Sequence, residues 1–188
     1  DSLALTLGAR YNYTKIKALD VDPDPTDAYP FFGFTDTFSA VVGSARLSYD
    51  WNGKVNLICG VSQGFRAPNI DDTTSFKGVS SSSVDVPATG LKPEESVNYE
   101  VGAKMRAGGT AIEGFYYYTR LRNLIQRVPT TYQGQMYADP PLNTLRYHKK
   151  ENFAKGMIHG VEISARRRLG REWSVFGNFT WTEGKGDI

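Results

Sequence analysis

The chain has 188 residues and a formal net charge of +2. That is enough for one domain with a sizeable core, and too little charge to mark a nucleic-acid partner. A single cysteine, Cys59, excludes an internal disulfide and a cysteine-based metal site. Mean hydropathy is −0.41, and no run reaches the roughly 18–20 apolar residues of a spanning helix. A membrane barrel is not excluded, because only every second residue of its strands meets lipid.

The chain opens in a strand-like pattern and shows no signal peptide at its start, so it reads as a fragment or as a mature piece with its ends removed. Leu3, Leu5, Leu7, Ala9, Tyr11 and Tyr13 alternate with polar or small partners, Arg10 among them, which predicts a long first strand. Lys17–Asp36 carries Pro23, Pro25 and Pro30 and reads as a loop. A second strand has Val41, Gly43, Ala45, Leu47 and Tyr49 on one face. Asp50-Trp51-Asn52-Gly53 makes a tight hairpin turn, and a third strand follows with Val55, Leu57, Cys59 and Val61. Phe65–Pro93 reads as a second long loop.

The fourth strand alternates strictly, with Val97, Tyr99, Val101, Ala103 and Met105 opposing Ser96, Asn98, Glu100, Gly102 and Lys104. It turns at Ala107-Gly108-Gly109 into a fifth strand, Thr110–Thr119. Leu121–Glu151, broken by Pro129, Pro140 and Pro141, is a third long segment. A sixth strand carries Val161, Ile163 and Ala165 and turns near Leu169-Gly170-Arg171, with Arg166 and Arg168 on its polar face. The seventh, Trp173–Thr182, alternates Trp173, Val175, Gly177, Phe179 and Trp181 with polar residues, and Glu183–Ile188 begins another loop.

Connections therefore alternate long and short. In an antiparallel meander this sends every long loop to one end and every tight turn to the other, as in outer-membrane barrels. Strands of about ten residues exceed the usual 5–6 of soluble sheets and match the 9–11 that cross a bilayer. Tyr11, Tyr13, Tyr49, Trp51, Tyr99, Trp173 and Trp181 lie near strand ends, where aromatic rings meet headgroups. Glu100, Glu113 and Glu162 share the polar face with Arg10, Arg46 and Lys104, a charged network for a water-facing interior.

Catalytic chemistry is not indicated. His148 and His159 lack a partner at metal-ligand spacing. Glu94 and Glu95 are adjacent on a strand and point apart, whereas a catalytic carboxylate pair must converge. Function is expected in the loops, which a rigid scaffold displays. Phe31, Phe32 and Phe34 form an aromatic cluster in the first. Tyr132, Tyr137, Arg146, Tyr147 and His148 combine aromatic and basic groups in the third, suited to an anionic or aromatic small-molecule ligand. Packing of these aromatics on one another is the alternative.

Two motifs narrow the fold. Gly64, Phe65, Arg66, Ala67 and Pro68 (GFRAP), followed by Pro93, Glu94, Ser96, Asn98, Tyr99, Glu100 and Gly102 in LKPEESVNYEVGAK, resemble the barrel of TonB-dependent outer-membrane receptors. In that family the first segment leads into an outer loop and the second starts the next strand. The Phe115–Arg127 segment and the Gly160–Glu162 strand follow in the family's order. The resemblance implies an all-β antiparallel meander of about seven long strands, a partial barrel domain over residues 1–188. The full family fold has about 22 strands and a plug. It further implies a bacterial outer-membrane location, contact with outer-membrane lipid, and no catalytic residue, metal or cofactor. It implies uptake of a scarce ligand such as an iron–siderophore complex or cobalamin, with energy supplied by the TonB complex through an N-terminal part not seen here. Arg66 is expected to anchor the barrel rim. A soluble β-sandwich carbohydrate-binding module and a passive porin-type channel are the alternatives. A partial barrel leaves two strand edges and a lipid face open, so the isolated 188-residue chain is expected to aggregate. A folded monomer by size exclusion in plain buffer would contradict that.

Overall fold

A computed structural model describes residues 2–18, 33–74, 77–80, 82–138 and 143–187. Seven long strands form one antiparallel meander: β1 (Ser2–Ala18), β2 (Phe34–Trp51), β3 (Val55–Arg66), β6 (Glu94–Ala107), β7 (Thr110–Pro129), β8 (Arg146–Leu169) and β9 (Trp173–Asp187). Between β3 and β6 lie a one-turn helix, α1 (Ile70–Thr74), and two short strands, β4 (Lys77–Ser80) and β5 (Ser83–Asp85). The sheet is open, since β1 and β9 each pair on one side only. Among the described residues no helix is long and apolar enough to cross a membrane, which says nothing about strands.

The register carries the alternation across the sheet without a break. Leu5, Leu47, Cys59, Val101, Tyr116, Val161 and Trp181 stand opposite one another from β1 to β9. Because strand side chains alternate with period two, one face is apolar across the middle of the sheet, with charged residues toward its ends, and the other is largely polar. The apolar face is open: Leu3, Leu7, Val41, Val101 and Phe179 are each more than half exposed. It is called the outer face below, and the opposite one the lumen face. All seven aromatics expected near strand ends stand on the outer face. Tyr49, Trp51 and Trp173 lie toward the tight turns, and Tyr11, Tyr13, Tyr99 and Trp181 toward the long connections.

The tight turns are short because their residues accept left-handed backbone. Asn52 (φ 60°) and Gly53 (φ 68°) make the first, and Gly108 with Gly109 the second. The long connections are residues 19–33, 67–93 and 130–145, all at the opposite end.

Several expected boundaries move. The connection 67–93 is not plain loop, because it contains α1, β4 and β5. β7 continues past Thr119 to Pro129, and β8 begins at Arg146, well before Val161. Both ends of Leu121–Glu151, residues 121–129 and 146–151, are therefore strand, and so is Glu183–Asp187. The reason is a bulge. Register shifts between Leu121 and Ile125, where Asn123 adopts φ 55°. Beyond it the pairing resumes from Ile125↔Asn152 to Pro129↔His148. Sequence alternation breaks at the bulge, although the two strands pair again beyond it. Arg166–Arg168 lie within β8, just before its turn, with Arg166 and Arg168 on the lumen face.

Buried apolar residues gather at the long-connection end. Ile16, Ala18 and Phe38 come from inward positions of β1 and β2, while Val86, Ala88 and Leu91 come from the connection 67–93. That connection starts on β3, touches β1 through α1 and ends its crossing at β8, where β5 pairs parallel to residues 146–148. It forms a cap across the lumen face.

Candidate functional site

The cap and its anchors make up the chemically densest part of the molecule, and the two sequence motifs meet there. Arg66, last residue of β3, stands opposite Glu94, first residue of β6. Its Nε donates to Glu94 Oε2 at 2.6 Å and its Nη1 to Asp72 Oδ2 at 3.0 Å. Asp72 caps α1 reciprocally with Asn69: each side chain accepts from the other's backbone N–H, at 3.0 and 2.8 Å. Lys150 of β8 reaches Asp72 at 3.0 Å and Asp71 at 3.2 Å. One ionic chain thus ties β3, α1, β6 and β8 together.

The bulge in β7 is satisfied from the same motif. Ile125 N–H donates to Glu94 Oε1 at 2.8 Å, and Asn152 Nδ2 donates to the carbonyls of Asn123 (2.7 Å) and Lys92 (2.8 Å). The Asn152 Oδ1 accepts Lys92 N–H at 2.6 Å. Further out, Arg127 Nε donates to the buried Asp85 of β5.

Charges in the cap are shifted accordingly. Hydrogen bonding to Glu94 pushes the Arg66 guanidinium up, with burial opposing. Arg66 holds Glu94 below the usual carboxylate range against its partial burial, helped by Ile125 N–H. Burial would raise Asp72, but Asn69 N–H, Lys150 and Arg66 outweigh it and hold it low. Burial would lower Lys150, and its two aspartates raise it instead.

Below the cap, each lumen-facing residue of the second motif has a specific neighbour. Ser96 lies over Gly64, where an added Cβ would sit 2.3 Å from its Oγ. Asn98 Oδ1 accepts from Thr119 Oγ1 at 2.8 Å, and Glu100 pairs with Arg46 at 3.1 Å. Phe115 covers Gly102, and Lys104 pairs with Glu113 at 3.0 Å. Tyr99 alternates outward and is half exposed. Pro68 is fully buried and Ala67 partly so, while Phe65 faces outward and Pro93 precedes the strand. Of the predicted charged network of the polar face, the Arg46–Glu100 and Lys104–Glu113 pairs form, while Arg10 and Glu162 enter no ion pair among the described residues.

The predicted loop residues separate. Phe31 and Phe32 lie outside the described residues. Phe34 starts β2 and is not in a loop. Arg146, Tyr147 and His148 are strand residues of β8, not loop residues. Tyr147 is 1 % exposed, its ring 5.5 Å from that of Tyr132, and it pairs with Val84 of β5 while its carbonyl accepts from Thr130 N–H at 2.9 Å. It packs the base of the third connection. Arg146 stays exposed, bridged by backbone to the half-buried Tyr137, and His148 Nδ1 lies 3.0 Å from the Arg146 carbonyl. Asp72, Asp85, Lys150 and Asn152 carry the cap, yet no local pattern in the sequence marks them, because their partners are distant in the chain. Among the described residues no group of three or more His, Cys, Asp or Glu is arranged to hold a metal.

Comparisons with known proteins agree with this architecture. Among curated proteins no sequence match is found. Among solved structures, the copper transporter OprC superposes with TM-score 0.71 at 16% identity, over 97% of this chain and 26% of that one. The apoprotein form of the FrpB iron transporter from Neisseria meningitidis gives 0.67 at 19%, covering 99% and 24%. The siderophore receptor PirA from Pseudomonas aeruginosa gives 0.65 at 17%, covering 95% and 34%. The chain thus spans about a quarter to a third of the length of these structures. These similarities show the fold. The family model for the TonB dependent receptor-like β-barrel matches residues 1–187, and its members and the structural neighbours are receptors and transporters, not enzymes. The chain belongs to the TonB-dependent receptor-like β-barrel family.

Proposed function

We propose that this chain is part of an outer-membrane barrel that takes up a scarce small ligand, an iron–siderophore complex or cobalamin, with energy from a TonB complex acting on another part of the whole protein. The observation that carries the reading is the apolar band across the middle of the outer face, backed by an ion-paired lumen face, within a family match over nearly the whole chain. The outer face would meet lipid, the tight turns would lie in the periplasm and the capped end outside the cell. A soluble β-sandwich would cover its apolar face with a second sheet, and here that face is open. Structural neighbours described as an iron transporter and a siderophore receptor favour metal-complex cargo.

Ligand contact is assigned to the outer rim, with Tyr137, Arg146 and His148 as the exposed or half-exposed groups on a rigid ladder, and with Tyr132 and Tyr147 as their support. Phe31 and Phe32 of the first connection, with Phe34 at the start of β2, complete the assignment. The test uses the full-length receptor in cells lacking their other iron-uptake receptors, with growth on single ferric siderophores or cobalamin. For the ligand that supports growth, Arg146→Ala and Tyr137→Ala are expected to weaken binding about 5- to 10-fold, roughly 1–1.4 kcal/mol each. Unchanged affinity in both would remove the rim from the site. Growth on none of these ligands would remove the cargo assignment.

A further inference from the structure

The sheet has a seam toward its capped end. β2 pairs with β1 from Asp50 to Phe34, but with β3 only as far as Ser44↔Ser62. Beyond that row β3 follows β6 to Arg66 and turns into the cap. From Gly43 to Thr35 the side of β2 turned toward β3 therefore meets no strand. A closed barrel pairs the free sides of β1 and β9 with further strands. It leaves this seam as it is, because β2 and β3 are already neighbours.

Backbone groups alternate in direction along an antiparallel strand. Gly43 N–H points into the seam and donates to Gln63 Oε1 at 3.0 Å. The β1–β2 register runs without a shift, so the N–H and C=O groups of Val41, Ser39, Thr37 and Thr35 point there too. Thr37 N–H donates to the carboxylate of Asp36 at 2.8 Å. Between these two side-chain stops, the amides of Val41 and Ser39 meet no partner among the described residues. Val41 is 71% exposed. A cleft of about 170 Å³ opens beside it, lined by outward Phe65 and Val97 and lumen-facing Ala40 and Val42. Further out, Lys15 and Lys17 stand outward on β1, opposite Thr37 and Thr35, exposed and without an ion pair among the described residues. The outward residues of the edge itself, Thr35, Thr37, Ser39 and Val41, include no proline and no charge to block pairing.

We propose that this edge of β2 is a docking site for an extended, acidic segment of a polypeptide outside the cell, which adds to the sheet as a short strand beside Thr35–Val41. The edge offers a donor and an acceptor every two residues, about 6.8 Å. A second backbone matches that repeat, and a small ligand or an acyl chain does not. Val41 shares its row with Tyr11 of the aromatic band, so the edge beyond it clears the lipid. A docked strand lies two strand spacings from β1, roughly 10 Å, within reach of Lys15 and Lys17, which select acidic side chains. Lower down, Glu95 stands opposite Phe65 and opposes negative charge, so the place beside Val41 and the cleft fits an apolar side chain. A second copy in the same membrane points the same way, so its own β2 edge could add only in parallel, the weaker pairing. The inference rests on the reading that the capped end lies outside the cell.

The experiment is amide hydrogen exchange of the full-length receptor in detergent, with synthetic peptides of about ten residues added at up to about 1 mM. One alternates valine with glutamate, one alternates valine with lysine, and one is the acidic peptide with its amides N-methylated, which removes its donors. The acidic peptide is expected to slow exchange at Ser39 and Val41 about tenfold or more, and to leave Leu47, paired on both sides, unchanged. The basic peptide is expected to bind about fivefold more weakly and the N-methylated one not at all. Ser39→Pro removes an N–H that the β1 ladder does not use and is expected to abolish binding. K15Q/K17Q is expected to weaken the acidic peptide about fivefold. Exchange unchanged at Ser39 and Val41 overturns the proposal. So does equal binding of the acidic and N-methylated peptides, of the acidic and basic peptides, or of wild type and K15Q/K17Q. Slow exchange at both amides in a receptor that is dimeric without peptide gives the edge to a second copy and overturns it too. Labelled acidic peptide that binds purified receptor, but binds cells only after permeabilisation, would overturn the underlying orientation instead.

Discussion

Replacing Gly102 by valine in the full-length receptor is expected to lower stability by about 3 kcal/mol or more, or to prevent folding into detergent micelles. A Cβ at this position would lie 2.4 Å from the Gly114 carbonyl oxygen and 2.4 Å from Phe115 Cδ1. The ring can turn away at some cost; the carbonyl belongs to the neighbouring strand and cannot move without breaking the ladder. Phe115 itself fills the space over Gly102, so the pair works as one packing unit on the lumen face. Gly177→Val is the contrast. Nothing lies within 4 Å of its added Cβ, and the position is on the outer face. It is expected to change stability by less than about 0.5 kcal/mol. Urea titration of both variants in the same detergent checks the difference. Equal midpoints would show that the close approach at Gly102 is relaxed at little cost.

Arg66→Ala is expected to loosen the cap. It removes two charge-assisted hydrogen bonds, each worth about 1.5–3 kcal/mol when well shielded. The guanidinium is 46% exposed, so screening reduces the sum to about 1–3 kcal/mol. Asp72 retains Lys150 and Asn69 N–H, which keeps the loss local. The readout is amide exchange at Val86, whose N–H donates to the His148 carbonyl at 2.8 Å, and at Ala88, which donates to Thr73 at 3.0 Å. Both amides should exchange about 5- to 150-fold faster in the variant, the range equivalent to that energy.

The same contacts set a pH window. Asp72 and Glu94 are held below their ordinary values of 3.8 and 4.5 in the folded cap. Their stabilisation is therefore fully present above those values and is lost as pH falls through the lower folded ones. Lys150 is raised above 10.5, so its share is present below 10.5 and is lost only as pH rises beyond it. Protection of Val86 should be flat from about pH 5 to 10, after correction for intrinsic exchange, and should fall in acid. In Arg66→Ala, Glu94 returns toward 4.5 and the acid slope flattens. An identical slope in both proteins would show that Arg66 is not what holds Glu94 ionised.

Local pattern carried most of the scaffold. The outer-face residues of the seven long strands, the tight turns at one end and the long connections at the other follow from period-two alternation and from Asn52-Gly53 and Gly108-Gly109, all of which act within a few residues. The GFRAP and LKPEE motifs identified the family for the same reason: their residues are contiguous. Why those residues are needed was not legible. Arg66 meets Glu94 only when β3 and β6 pair, and Glu94 reaches Ile125 only because β7 bulges at Asn123. The bulge also hid the outer parts of β7 and β8, since it shifts the alternation by which a strand is recognised, and so Arg146, Tyr147 and His148 read as loop.

The sequence by itself determined the strand faces, the two-ended arrangement and the family, because each depends on short-range periodicity and contiguous motifs. Tertiary structure decided the cap, its ionic anchors through Asp72, Asp85, Lys150 and Asn152, and the burial of Tyr147. Those contacts join residues far apart in the chain, and no local physical rule selects one distant partner over another until the register of the sheet brings them face to face.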